Sequence, residues 1–182
     1  MMRQLLVALA GRSQTRRTPQ RGARRGSRSQ VPADLQAFFD RFTTCLTSGD
    51  GDGVAACFEY PTLMVMSDAK YGPNQPFDRG DTASAFFAKD AEMYRQRGIW
   101  GTFADVRDVQ WLTPDLCLVN VHFPYIDADG NDMGDGESSL YIVRRTAGGY
   151  AIASIVTLGT ESDHAGPQPA GGWRSKQVRR NA

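Results

Sequence analysis

The chain has 182 residues and a formal net charge of +1, a value that arises because oppositely charged regions cancel. Residues 1–30 hold eight arginines, residues 171–182 hold four basic residues, and all 20 acidic residues lie between these two ends. Residues 31–170 therefore carry a charge of −11, which argues against nucleic-acid binding by the surface of the domain that they form. This segment has the length of one ordinary domain, and no apolar run approaches the ~18–20 residues of a membrane span.

The first 30 residues are rich in arginine and contain one short apolar run, Leu5–Ala10. We predict a disordered basic extension, because large apolar residues are too few to offset the entropy of ordering. Two alternatives stay open: a secretory signal, although the run is shorter than the ~7–15 residues expected, and an organelle transit peptide. Residues 163–182 are predicted to be a Pro/Gly linker and a second basic tail. Such tails can contact nucleic acid or an anionic membrane without sequence specificity.

The three cysteines, Cys45, Cys57 and Cys117, are far apart and lack the spacing of metal ligands. An odd count without a pattern predicts reduced thiols in a reducing compartment. We therefore predict a cytoplasmic protein, with organelle targeting through the Arg-rich N-terminus as the alternative. The chain contains no metal or cofactor motif, and we predict neither group.

Helical periodicity predicts three helices in the first part of the domain, with one strand between the second and the third. The first helix carries an apolar stripe and ends at Gly49. Pro61 is predicted to stop the second helix, and residues 71–76 are predicted to form a Gly/Pro-rich loop. The predicted elements are a helix Ala33–Ser48, a short helix ending near Phe58, a strand Thr62–Ser67 and a helix Thr82–Arg97.

Four strands are predicted after the third helix, because apolar residues alternate between turn-forming residues. They are Thr102–Leu112, Leu116–Tyr125, Glu137–Arg145 and Tyr150–Leu158, with an Asp/Gly/Asn-rich loop at residues 126–136. Helices first and an antiparallel meander later indicate an α+β fold, with helices packed on one face of a curved sheet.

The strand Leu116–Tyr125 has large apolar residues in both of its alternations. We therefore predict that neither face of the sheet is fully exposed to solvent at this strand. One face meets the helices, and the other needs a partner. We predict a homodimer through the sheet.

Three segments of the domain carry the spaced motifs of one known superfamily. The segment from Leu46 to Phe58 fits the pattern L-x-x-G-D-x-D-x-(aliphatic)-x-x-x-F, and Arg79–Phe87 fits R-G-x-x-A-(I)-x-x-F-(F). The segment from Leu140 to Ile152 fits a closing R-R-x-x-G-G-W-x-I strand, with Tyr150 at the Trp position. Together they resemble the nuclear transport factor 2-like superfamily, which includes the SnoaL-like polyketide cyclases, ketosteroid isomerase and scytalone dehydratase. The resemblance covers residues ~33–160 and assigns residues 31–162 to one SnoaL-like domain.

This resemblance implies a cone-shaped, cystatin-like roll, in which three helices and a curved, mostly antiparallel sheet enclose an apolar pocket, commonly in a dimer. It also allows the positions used by ketosteroid isomerase to be compared. The position of its Tyr donor falls on Phe42, which has no hydroxyl group, and the position of its Asp base falls on Met66, which cannot accept a proton. The ketosteroid isomerase mechanism itself is therefore disfavoured. Whether the domain is an enzyme stays open, and an enzyme of this kind would be an isomerase or lyase of the SnoaL-like type.

His122 is the sharpest candidate for acid–base catalysis, because histidine titrates near neutral pH. Asn120 shares its strand face and could orient a carbonyl group, and Asp105 on the neighbouring strand could contact the imidazole and fix its tautomer. The alternative is that His122 lies on the dimer or solvent face, or is a hydrogen-bonded core histidine. The catalytic role fails if Asn120 and His122 point away from the helices.

Aromatic and methionine side chains predict a pocket for a flat apolar ligand, although they are equally explained as core filling. The predicted lining residues are Phe42, Met64, Met66, Trp100, Tyr125 and Tyr141, with Trp111 as a further candidate. The run Asp127–Glu137 is similar to a calcium loop at its first three ligand positions but lacks the required Gly and the bidentate Glu, so a hairpin turn is predicted.

Three functions are compatible with these patterns. The first is binding of a small apolar or aromatic molecule in the cone, in its sharper form by an isomerase, cyclase or dehydratase that uses His122. The second is a non-catalytic dimerising accessory module whose pocket is filled by its own side chains. The third is a tail-driven contact with nucleic acid or membrane, with the domain as a scaffold.

Overall fold

The computed structural model describes residues 31–160, so the predictions for residues 1–30 and for the linker and tail at 163–182 lie outside the described residues. Within the described range the chain forms three α-helices and six β-strands. The helices are α1 (Ala33–Ser48), α2 (Gly51–Ala55) and α3 (Gly80–Gln96), and the strands are β1 (Phe58–Met66), β2 (Gln75–Phe77), β3 (Asp105–Thr113), β4 (Leu116–Ile126), β5 (Asp132–Thr146) and β6 (Gly149–Thr160). No helix in this range is long and apolar enough to cross a membrane.

The six strands form one sheet in the order β2-β1-β6-β5-β4-β3. The pair β1–β6 is parallel, and the other four pairs are antiparallel. The parallel pair arises because the chain crosses from β1 through α3 and the meander before β6 returns beside it. The predicted α+β class and the mostly antiparallel sheet are confirmed.

The structure corrects two predictions in the first half of the domain. Pro61 does not stop a helix but lies inside β1, which begins at Phe58 instead of Thr62. Because proline has no N–H group to donate, the ladder between β1 and β6 is interrupted there, and its register shifts between Phe58 and Leu63. The predicted loop at residues 71–76 contains the start of β2, an edge strand that pairs with β1 over only three residues.

The apolar stripe of α1 packs across one face of the sheet, which we call the inner face. Odd-numbered residues of β4 and β5, from Cys117 to Tyr125 and from Glu137 to Val143, point to this face. The rings of Phe39 and Phe42 meet the ring of Tyr141 edge to face, at centroid distances of 5.2 and 5.9 Å. Even-numbered residues of the same strands, among them Leu118, Asn120, His122, Ser138, Leu140 and Ile142, point to the opposite, outer face.

The short helix α2 fixes the position of α3 through a close backbone contact. The side chain of Asp50 caps α2 by accepting a hydrogen bond from the N–H of Gly53 at 2.9 Å. At the first residue of α2, Gly51, an added Cβ would lie 2.3 Å from the carbonyl oxygen of Ser84 in α3. Only glycine therefore allows the two helices to approach this closely.

We expect Gly51→Ala to lower the free energy of unfolding by about 2 kcal/mol, because the new methyl group must displace the backbone of α3. Gly80→Ala is the matched control, since Gly80 is the first residue of α3 and its added Cβ would lie 3.8 Å from the Tyr60 ring, an ordinary contact. Urea unfolding followed by circular dichroism measures both variants. Equal stability of the two would contradict the close-packing account.

Candidate functional site

A cavity of about 390 Å³ lies between the inner face of the sheet, α1 and α3. Its floor is built by side chains that are less than a tenth exposed, namely Phe42, Met64, Phe87, Phe123 and Tyr141. Its rim carries Met93 and Trp100, which are 48% and 56% exposed. The cavity thus joins a buried apolar floor to an opening at the surface.

All six side chains that the sequence predicts for a pocket lie in the wall of this cavity: Phe42, Met64, Met66, Trp100, Tyr125 and Tyr141. Their role in binding a ligand stays a prediction. Trp111 does not line the cavity; its ring lies 4.8 Å beneath the guanidinium of Arg145. Trp111 lies away from the cavity because it is near the end of β3, which is an edge strand of the sheet.

One part of the wall carries polar side chains, which we call the polar cluster: Asp90, Tyr94, Arg97, Tyr125 and Glu137. Asp90 and Tyr94 lie on α3 at positions i and i+4, and Arg97, at position i+7, is the C-cap residue directly after the helix, so that all three face the cavity. Tyr125 and Glu137 come from the inner face of β4 and β5. The cluster therefore joins α3 to the sheet across one part of the cavity.

Glu137 is the carboxylate that the sheet contributes to the cluster. The hydroxyl of Tyr94 donates a short hydrogen bond to Oε2 of Glu137. Burial raises the pKa of Glu137, while this hydrogen bond and the positive charge of Arg97 act in the opposite direction. Burial and the charge of Glu137 also raise the pKa of Tyr94 well above its ordinary value, so Tyr94 stays a hydrogen-bond donor.

Asp90 is the second carboxylate of the cluster. Burial raises its pKa to about 6, the negative charge of Glu137 acts in the same direction, and Arg97 opposes the shift. A carboxyl group that titrates near neutral pH can both give and take a proton under physiological conditions. The cluster therefore offers the acid–base capacity that the sequence suggested for His122.

Within residues 31–160, neither of the two arginines in the cavity wall forms an ion pair with Asp90 or Glu137. Arg97 lies over the rings of Tyr94 and Tyr125, with its guanidinium carbon 5.5 and 5.6 Å from the ring centroids. Arg95 donates to the carbonyl oxygens of Thr47 and Ser48 at 3.2 Å, at the C-terminal end of α1. The first arginine orders the two tyrosines, and the second satisfies the end of a helix.

The predicted catalytic residues His122, Asn120 and Asp105 lie elsewhere. His122 is buried, but it is on the outer face, where its Nδ1 lies 3.0 Å from the hydroxyl of Ser138. Asp105 is opposite His122 in the β3–β4 ladder as expected, yet its carboxylate bonds with Nε of Arg107 at 3.1 Å. None of the three lines the cavity, because the even alternation of β4 points away from the helices. Asn120 and His122 therefore point away from the helices, which is the orientation that excludes the catalytic role predicted for them.

The Asp-rich loop forms a hairpin turn between β4 and β5. The carboxylate of Asp127 accepts hydrogen bonds from the N–H groups of Asp129 and Asn131, at 2.9 and 2.8 Å. Hydrogen bonding to the ionised form lowers the pKa of Asp127, as in an Asx turn. Within residues 31–160 no group of three or more His, Cys, Asp or Glu side chains is arranged to hold a metal ion.

Sequence reasoning missed every residue of the polar cluster except Tyr125, although two signals for the others were present. Asp90, Tyr94 and Arg97 repeat at helical spacing, and Glu137 shares the strand alternation of Ser139 and Tyr141. The first signal was hidden because helical spacing alone does not show which face of the helix Thr82–Arg97 meets a cavity. The second was hidden because Glu137 is the first residue of the predicted strand Glu137–Arg145, and the alternation alone does not show which face of that strand meets the helices.

Comparison with known proteins agrees with this architecture. Among solved structures, the chain is similar to a domain of unknown function with a cystatin-like fold from Nostoc punctiforme (19% identity, TM-score 0.53, covering 70% of this chain and 78% of that one). It is also similar to an NTF-2 like protein of unknown function from Shewanella oneidensis (10% identity, TM-score 0.51, covering 68% and 95%) and to an NTF2-like protein with a cystatin-like fold from Novosphingobium aromaticivorans (12% identity, TM-score 0.50, covering 68% and 78%).

At these identities the solved structures show the fold alone. Comparison with curated proteins gives no match. The family model described as "NTF2-like protein (DUF6841)" matches residues 33–160, which is most of the chain. The chain is therefore a member of the NTF2-like family DUF6841, with a cystatin-like α+β fold.

Proposed function

We propose that the protein binds a small, largely apolar or aromatic molecule in the cavity between α1, α3 and the inner face of the sheet. The observation that carries this proposal is the volume of about 390 Å³ over a floor of buried aromatic and methionine side chains. This volume falls in the range of small-molecule sites, and such sites typically combine an apolar wall with a few polar groups. The same volume weighs against a pocket filled by its own side chains.

The distribution of polar groups gives the ligand an orientation. Its apolar body packs against Phe42, Phe123 and Tyr141 on the floor, and its polar group meets the polar cluster. Met64 and Met66 in the wall can adapt their shape to the ligand, because methionine is flexible and polarisable.

Any isomerase- or lyase-type reaction on such a ligand would use Asp90 and Glu137 as its acid–base groups instead of His122. Both carboxyl groups line the cavity, and burial raises the pKa of each. The wall has no hydroxyl or carboxyl group at Phe42 and Met66, so this chemistry would differ in its placement from that of ketosteroid isomerase.

We also propose that the chain forms a homodimer through the outer face of the sheet. Leu118, Leu140 and Ile142 are only partly buried there, and together they form an apolar surface on two neighbouring strands. The side-chain oxygen of Asn120 is buried on the same face without a hydrogen-bond partner among residues 31–160. An unsatisfied amide oxygen beside this apolar surface marks a position where repacking against a second chain would supply a donor.

Filling the cavity should weaken binding of N-phenyl-1-naphthylamine, a neutral dye that fluoresces in apolar surroundings. Ser139 is 2% exposed and lines the cavity, so we expect Ser139→Phe to lower the affinity for the dye by about tenfold or more. A fluorescence titration measures the affinity.

The matched control is Leu140→Phe, which places the same ring at the next position but on the outer face. We expect this variant to bind the dye as the unmodified protein does. Equal binding by Ser139→Phe and the unmodified protein would overturn the cavity as the binding site, and absence of any dye binding would count against the proposed function.

A charge on the outer face should separate the dimer. We expect Leu140→Glu to change the mass measured by size-exclusion chromatography with light scattering from that of two chains to that of one, since an unpaired carboxylate is costly in an apolar interface. Met133→Glu is the control, because Met133 is 44% exposed near the hairpin end of β5. A monomeric unmodified protein, or a dimeric Leu140→Glu variant, would contradict the proposed interface.

A further inference from the structure

We infer that the cavity selects a ligand whose apolar or aromatic body ends in a protonated amine, with Asp90 and Glu137 as the groups that receive the ammonium. This inference rests on the proposed function, since it assumes that the cavity binds a small molecule. The inference specifies that the polar group of this molecule is an amine.

The first argument is the pairing of two carboxyl groups in one wall. Asp90 comes from α3 and Glu137 from β5, and both line the cavity. Burial and, to a smaller extent, the charge of Glu137 raise the pKa of Asp90. Two negative charges in a partly desolvated site oppose each other, and an ammonium group between them relieves both their repulsion and the desolvation of each. A ligand carboxylate would instead add a third negative charge.

The second argument is that the cations of the wall are engaged elsewhere. Arg97 lies over two tyrosine rings, and within residues 31–160 it forms no ion pair within 4 Å of a carboxylate. The guanidinium of Arg95 donates to the backbone carbonyl oxygens of Thr47 and Ser48. Arg97 weakens the negative potential at Asp90 and Glu137 without satisfying their hydrogen-bonding capacity.

The third argument is the number of hydrogen bonds that remain to be made. Tyr94 donates to Oε2 of Glu137, and Tyr125 also hydrogen bonds with this carboxylate. An ionised carboxylate has about four acceptor sites, so Glu137 and Asp90 both keep acceptor capacity. An ammonium group carries three donors and can bond both carboxylates at once, whereas a hydroxyl group has one proton to donate. Charge-assisted hydrogen bonds are also stronger than neutral ones.

Three ligands that share an indole ring and a two-carbon chain test the inference: tryptamine, tryptophol and indolepropionate. They end in an ammonium, a hydroxyl and a carboxylate group, and each is measured by displacement of N-phenyl-1-naphthylamine. Near pH 7.5 we expect tryptamine to bind about tenfold more tightly than tryptophol, and indolepropionate to bind most weakly.

Variants that remove one charge at a time assign the preference to the two carboxylates. We expect Glu137→Gln and Asp90→Asn each to bring the affinities for tryptamine and tryptophol to within about threefold of each other, while tryptophol still binds. Glu92→Gln is the matched control, because Glu92 is exposed on α3 and does not line the cavity. Unchanged circular dichroism shows that each variant is folded, and either carboxylate variant suffices if the other unfolds.

The preference should also fall as the solution is made acidic. Asp90 is ionised above its pKa of about 6 and gains a proton below it, whereas tryptamine stays protonated throughout. The ratio of the two affinities should therefore decrease from about pH 7.5 to about pH 5, and the decrease should be smaller in Asp90→Asn. Glu137, Tyr94, Tyr125 and Arg97 face the same volume, so the variant is needed to assign the transition to Asp90.

The outcomes separate the two proposals. Binding of none of the three indoles, together with no binding of the dye, would defeat the proposed function itself. Binding of tryptophol as tight as that of tryptamine, or tightest binding of indolepropionate, would overturn the amine inference and leave the cavity as a binding site. Retention of the full amine preference in both carboxylate variants would overturn it as well.

Discussion

The architecture depends on how the aromatic rings of α1 meet the inner face of the sheet. Phe39 and Phe42 contact Tyr141 edge to face, and Phe42 also lies 6.2 Å from Phe58, whose ring stacks on Phe87 of α3 at 5.5 Å. These rings tie two helices to two strands over a short distance. These aromatic rings meet edge to face and hold the helices on the sheet. They do not fill the space beside the C-terminal half of α3, where a cavity of about 390 Å³ remains.

The polar cluster follows from the same arrangement. A carboxylate on the inner face is costly unless it is hydrogen bonded, and Tyr94 meets that need from α3. Arg97 lies over the two tyrosine rings and reduces the negative potential at the carboxylates. The consequence is a site with an apolar floor and carboxyl groups of raised pKa, which suits recognition of a small molecule with one polar end.

The fold could be predicted from the sequence in most respects, because helical and strand periodicity are local signals. Edge strand β2 and the start of β1 escaped because Pro61 and Pro76 read as breaks, whereas pairing with neighbouring strands overrides them. The face of β4 could not be assigned, since both of its alternations are apolar and only packing decides which one meets the helices. His122 was therefore predicted to act in catalysis, and only the packing of the chain shows that its side chain points to the outer face.

The central claim is that a ligand enters the cavity, and methionine methyl groups report on this directly. Met64, Met66 and Met93 line the cavity, whereas Met133 lies on the hairpin outside it. In a protein labelled with carbon-13 at its methionine methyl groups, titration with N-phenyl-1-naphthylamine should shift the NMR signals of the three cavity methionines and leave that of Met133 in place. Saturable binding that moves Met133, or that leaves all three cavity signals unchanged, would contradict the account.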